Sequence, residues 1–190
     1  MRDKELYARR KSLRLKNHDY SNAGAYFVTV CTHRRAPMLG HIEDSAMVLS
    51  PAGQIVWDIW QKLPEHYSYL ALGPFVVMPN HFHGIVHVTG SVGAIHESPL
   101  PAPAAQRSSD KSRRSMSLPL IIGRLKMVSA KYINGMRNAG GQPVWQRSYH
   151  EHVIRSDESY AAIAEYIETN PQRWADDVYN SQSAVRRGDS

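Results

Sequence analysis

The stretch Val76–Val88, VVMPNHFHGIVHV, sets two apolar, β-prone runs on either side of Pro79-Asn80 and places three histidines in the second run. Proline cannot donate to a ladder and Pro-Asn is turn chemistry, so Phe75–Met78 and His81–Thr89 read as neighbouring strands, or as one strand broken by a bulge. Upstream, Ala25–Thr32 (AYFVTVCT) is rich in β-branched and aromatic residues behind a Ser-Asn-Ala-Gly turn, and predicts a strand. Ser50 to Glu65 repeats Ile55, Val56, Ile59, Trp60 and Leu63 at helical spacing behind a Ser-Pro start, which predicts an amphipathic helix.

Downstream, residues 91–117 shift to Pro, Ser, Ala and basic side chains, with too few large apolar groups to offset the entropy of ordering, and predict a mobile loop. Helical periodicity returns from Leu118 to Asn138 through Ile121, Ile122, Leu125, Val128 and Tyr132, closed by Gly140-Gly141. Pro143–Gln146 and Tyr149–Ile154 read as short strands, and Ser156 to Asn170 as a third helix stopped by Pro171. The order strand, helix, strands, helix, strands, helix predicts an α+β fold: a ferredoxin-like antiparallel sheet with helices packed mainly on one face.

At 190 residues the chain has room for one compact domain, read as a basic arm at 1–20, a domain at 21–175 and a tail at 176–190. A hydrophobic content of 42% and a charged content of 21% exclude a wholly disordered chain. No run is long and apolar enough to span a bilayer and the charged N-terminus has no signal-like stretch, so the expectation is a cytoplasmic protein without membrane contact. The lone Cys31 reads as packing. The net charge of +6 favours a polyanionic partner, and the excess clusters at Arg9, Arg10, Lys11, Arg14 and Lys16 and again at Arg107, Lys111, Arg113 and Arg114.

Alternate side chains of a strand share a face, so His81, His83 and His87 point one way, and the first two can converge on one ion. A half-exposed strand without a ligand explains such a pair equally well, so the motif needs a partner. On the third helix Tyr160, Ile163, Ala164 and Ile167 form the stripe that faces the sheet, while Tyr166 and Asn170 lie on its flank, one turn apart. A tyrosine there can hold its hydroxyl in a cleft, and the amide four residues on can join a metal shell. Tyr166 as simple packing and Asn170 as a helix terminator remain the ordinary alternatives. A second pair, His150 and His152, could combine with the first in an all-histidine zinc site, and Glu151 or His152 could orient a water.

These residues resemble a known family. SLRL near Ser12, Tyr20-Ser21 with Gly24 leading into YFVTV, VVMPNHFHGIVHV, VWQRSYHEHVIR at Val144–Arg155 and YIETNP at Tyr166–Pro171 are similar to motifs of the REP-associated tyrosine transposases, a branch of the single-tyrosine HUH nucleases. The resemblance implies a divalent ion, Mg²⁺ or Mn²⁺, on His81 and His83 with Asn170 as third ligand. It also implies Tyr166 as the nucleophile that becomes linked to DNA. The function expected is a metal-dependent single-strand DNA endonuclease and strand transferase acting on single-stranded or hairpin DNA, as a monomer or homodimer. DNA contacts are expected from Arg10, Lys11, Arg14 and Lys16 of the arm, from Arg124 and Lys126 on the second helix, and from Trp145 and Arg147, although Trp145 suits a core position equally well. Competing readings are a non-catalytic single-stranded nucleic-acid binding module, and a hydrolase of small phosphoesters that uses His81, His83 and His87.

Overall fold

A computed structural model describes residues 23–89 and 117–180; the N-terminal arm, with Arg10, Lys11, Arg14 and Lys16, and the loop at 91–116 lie outside the described residues. The elements run β1 (Gly24–Cys31), β2 (Gly40–Glu43), β3 (Ala46–Leu49), α1 (Pro51–Gln61), α2 (Leu63–His66), β4 (Leu70–Met78), β5 (His81–Val88), α3 (Ser117–Met136), β6 (His150–Ile154) and α4 (Asp157–Thr169). Four strands form an antiparallel sheet in the order β4-β5-β1-β6. Without the β2–β3 hairpin and α4 this is β-α-β-β-α-β, the ferredoxin-like arrangement.

The expected strands and helices are present, with local differences. Strand β4 begins at Leu70, ahead of the expected Phe75, because a bulge between Leu72 and Phe75 carries the ladder past Gly73-Pro74. The helix over 50–65 is two pieces, and Pro64 sits in the first turn of the second. Ser50 caps α1 by accepting from the Gly53 amide at 3.1 Å. The expected strand at 143–146 reduces to one bridge between Thr32 and Trp145. The β2–β3 hairpin is new relative to the sequence reading; Asp44 and Ser45 turn it with φ of 48° and 63°.

Register divides the sheet into two faces. Tyr26, Val28 and Val30 align with Val86, Gly84 and Phe82 on one face, where α1 and α3 close over them with Val56, Trp60, Ile121, Ile122 and Leu125 fully buried. Gly84 is required there, since a Cβ would stand 2.6 Å from the Trp60 ring. Cys31, Thr29, Phe27 and Ala25 align with His81, His83, Ile85 and His87 on the other face, and α4 lies across it through Tyr160, Ile163 and Ile167. Helices therefore cover both faces, two on one and one on the other, in keeping with the expected packing mainly on one face. Among the described residues no helix is long and apolar enough to cross a membrane.

Candidate metal and nucleophile site

His81 opens β5 directly after the Pro79-Asn80 turn, and His83 follows two residues later on the same face. Their rings stand 4.4 Å apart, centroid to centroid, and both are essentially inaccessible to solvent. Each ring is held from behind. Asn80 donates its amide N–H to the Tyr179 carbonyl at 2.7 Å, which turns its side-chain oxygen toward His81 Nδ1 at 2.8 Å. That oxygen can only accept, so Nδ1 carries the proton and Nε2 is left as a bare lone pair. His83 Nδ1 stands 2.8 Å from Thr29 Oγ1, which also lies close enough to the Tyr179 phenol to favour its ionised form. With Nδ1 paired to Thr29, Nε2 is the nitrogen turned toward Tyr166.

Buried His81 Nε2 has no hydrogen-bond partner, and the same holds for both amide atoms of buried Asn170. Asn170 nevertheless lies close enough to Tyr166 and Asp177 to favour the ionised form of each, without completing a well-formed hydrogen bond. Orphaned buried polar atoms are rare, and a bound ion is one way of satisfying them. Burial pushes His81 down to about 2, aided by the neighbouring His83 and Arg35, and burial alone pushes His83 down to about 3. Both rings are therefore neutral at physiological pH, the form that binds a metal ion.

The Tyr166 hydroxyl meets His83 Nε2 at 3.3 Å, and its ring packs edge-on to His83 at 5.3 Å and to Phe27 at 6.2 Å. Helix α4 achieves this because Ser156 caps its start, accepting from the Ser159 amide at 3.2 Å, while Ile167 anchors the opposite flank in the sheet. Burial raises the Tyr166 hydroxyl above its ordinary value and Asp177 adds to the effect, the nearby Asn170 amide opposes it and Tyr179 adds a little more, so the resting phenol is protonated. Asn170 is the C-terminal cap of α4 and leads into the 3₁₀ turn Pro171–Asp176.

Several expected residues stand elsewhere. His87 pairs its Nε2 with the Tyr160 hydroxyl at 3.3 Å. At roughly 3.4 Å of rise per residue it lies about 14 Å along the strand from His83, too far to share an ion. His150 and His152 align with Thr29 and Phe27, so β1 stands between them and the first pair, and the all-histidine zinc site does not form. Among the described residues no group of three or more His, Cys, Asp or Glu converges in a way that could hold a metal. Glu151 aligns with Val28 on the opposite face and cannot orient a water at His83.

Trp145 is buried and donates its indole N–H to Ser129 Oγ at 2.9 Å, so it is a core ring with little surface for stacking a base. Lys126 Nζ is spent on the Gln146 and Arg147 carbonyls at 2.6 and 2.9 Å. Arg124 lines a separate groove of about 350 Å³ between α1 and α3. Arg147 is exposed at the rim of a trough of about 520 Å³ beside α3.

The start of the segment read as a tail, from Asp176 on, instead joins the site. Tyr179 sets its ring 4.6 Å from His81 and 5.8 Å from His83. Arg35 stacks over Tyr179 at 5.1 Å and donates to the Val178 carbonyl at 3.1 Å, while Asp177 accepts from the Tyr179 amide at 2.6 Å. Thr29, Asn80, Asp177 and Tyr179 carry no sequence signal beyond polarity; they follow from register and from the fold-back of the chain.

No family model matches the chain. A Haemophilus influenzae protein described as uncharacterized is 34% identical over 168 residues, covering 88% of this chain and 91% of the relative. Among solved structures, that of a REP-associated tyrosine transposase bound to a REP hairpin is 20% identical, covers 92% of this chain and 87% of its own, and has a TM-score of 0.49. The crystal structure of a transposase candidate from Deinococcus radiodurans is 19% identical, covers 82% of this chain and 96% of its own, and has a TM-score of 0.44.

Proposed function

The chain belongs to one family with the Haemophilus influenzae protein, and we propose that it is a metal-dependent single-strand DNA endonuclease and strand transferase of the tyrosine transposase type. The observation that carries the reading is the Tyr166 hydroxyl 3.3 Å from His83 Nε2, beside a second histidine whose Nε2 is buried and bare. The motif resemblance over Val76–Val88 and Tyr166–Pro171 points to the same residues.

The donors present suit a divalent ion: two neutral imidazole nitrogens held from behind, and an amide with no other partner. His81, His83 and Asn170 would hold it, and a bound Mg²⁺ or Mn²⁺ supplies positive charge that polarises a phosphate and stabilises a departing oxygen. Tyr166 is the nucleophile. Its phenolic oxygen bonds to phosphorus, the P–O3′ bond breaks, and the released 3′-hydroxyl carries the proton that the phenol gives up to solvent. The 5′-phosphotyrosine conserves the phosphoester bond, so a 3′-hydroxyl attacking it rejoins DNA without ATP. The resting phenol is protonated, its hydroxyl raised further by burial, so it gives up its proton as it attacks.

Hairpin-bearing single-stranded DNA is the substrate class the motifs imply. The three-histidine phosphoesterase loses support because His87 is engaged by Tyr160. A non-catalytic binding module would have no use for a tyrosine hydroxyl on one buried imidazole beside another whose Nε2 is bare. The test is a denaturing gel of protein incubated with labelled hairpin-bearing single-stranded DNA and Mn²⁺. The expected result is a covalent band in the wild type that vanishes with EDTA and in Tyr166→Phe; binding without a band across varied hairpins would return the chain to the non-catalytic class.

A further inference from the structure

Directly after β1 the chain makes a turn that bulky residues rarely make. Arg34 and Arg35, consecutive and neither glycine, both adopt φ of 54°. Left-handed backbone at such residues persists only where the surroundings enforce it, and it concentrates at functional sites. The enforcement is visible: Thr32 Oγ1 is within hydrogen-bond reach of the Ala36 and Asn80 carbonyls at 2.8 and 2.9 Å, and the His33 amide donates to Val144 at 2.7 Å.

The two arginines leave the turn in different directions. Arg35 goes inward to Tyr179, while Arg34 goes outward into an open concavity of about 530 Å³ with His33, Arg137, Gln142 and Pro143. Arg137 comes from the end of α3 and is aimed by a 2.6 Å bond from its guanidinium to Asn134 Oδ1. No carboxylate lines the concavity, and among the described residues neither Arg34 nor Arg137 forms an ion pair. Two exposed guanidiniums converging on a polar hollow, without a counter-charge, make a site for an anion.

Its position says which anion. The Thr32 amide donates to the Asn80 carbonyl at 2.9 Å, and Asn80 precedes His81, so the hollow opens at the same end of the sheet as the histidines. Gln142 and Pro143 also line the neighbouring trough, whose wall includes Met127, Ala130 and Tyr149. A cationic hollow that continues into an apolar trough matches a single strand, with phosphates on the guanidiniums and bases beyond them.

We infer that His33, Arg34 and Arg137 bind the phosphodiester backbone of single-stranded DNA flanking the cleaved position, a site separate from the histidine cluster. This rests on the nuclease reading. The experiment measures fluorescence anisotropy of labelled single-stranded DNA across a salt series, with Tyr166→Phe as the parent so that no DNA is consumed. Arg34→Gly, Arg137→Gln and the charge-keeping Arg34→Lys and Arg137→Lys are added to that parent, and adduct formation by the wild type is assayed beside it.

Removing each guanidinium should lower the slope of log affinity against log salt by about 0.7, the value for one phosphate contact on a single strand, while the lysine variants keep the slope. Arg34→Gly should bind more weakly yet melt no lower than the parent, since glycine adopts this turn freely, a split that a structural role for Arg34 would not give. Unchanged affinity and slope in Arg34→Gly and Arg137→Gln, beside a wild type that forms adducts, would overturn the inference and leave the nuclease reading standing. A wild type that neither binds nor forms adducts overturns both.

Discussion

The two faces of the sheet are built from the same strands and obey opposite rules. Under α1 and α3, Tyr26, Val28, Val30, Phe82 and Trp60 are buried among apolar neighbours. Under α4, the equivalent positions one residue along β1 and β5 are Thr29, His81 and His83, buried just as deeply, and His81 Nε2 finds no partner. The first face contributes stability, at about 1.5–3 kcal/mol for each large apolar side chain buried. The second spends part of that stability on neutral histidines and an orphaned amide, the pattern expected where function overrides local consistency. A single-residue alternation in β5 thus separates structural from chemical duty.

The comparison breaks most sharply at Tyr166. Tyr166→Phe should abolish covalent DNA adducts altogether while shifting unfolding by no more than about 1 kcal/mol, because only a hydroxyl is lost from a packed ring; the same gel and a urea melt read both. On the other face the reverse holds. Trp60→Ala leaves every site residue in place yet should cost about 3–5 kcal/mol by denaturant unfolding, with adduct formation lost only in proportion to the fraction unfolded.

Smaller effects sharpen the same contrast. Thr29→Val keeps the volume but frees the His83 ring, so Mn²⁺ affinity measured by calorimetry should fall roughly 10–100-fold, whereas a comparable conservative change at Val28, one residue away on the apolar face, should leave it unchanged. The pH dependence of the metal-free protein isolates the buried imidazoles. Both histidines titrate lower folded than unfolded, at about 2 and 3 against an ordinary 6.5, so the unfolded chain takes up protons first and stability falls as pH drops below about 6.5. His81→Gln should flatten that fall by about 1.4 kcal/mol per pH unit, seen in denaturant melts between pH 6 and 4. An identical slope in the variant would mean that His81 is not held neutral by burial.

Much of this was legible from local pattern. Period-two alternation gave β1 and β5 and put His81 and His83 on one face; period 3.6 gave α4 and set Tyr166 and Asn170 on its flank, where the structure has them. The hairpin at β2–β3 escaped because Asp44-Ser45 lacks the glycine that usually marks such a turn. Lys126 and Trp145 looked available for DNA because charge and aromaticity are visible in sequence, while their consumption by the 146–147 carbonyls and by Ser129 is tertiary. Asn80 and Tyr179 became site residues only through a contact spanning 99 positions, which no local signal records.

Tyr179 also supplies the strictest test, because its ring lies 4.6 Å from His81, and Tyr160 offers a third hydroxyl on the same helix as Tyr166. The decisive measurement is peptide mapping by mass spectrometry of the protein–DNA adduct after nuclease trimming. The account predicts the residual nucleotide on Tyr166 alone; a nucleotide on Tyr179 or Tyr160 with Tyr166 unmodified would contradict it.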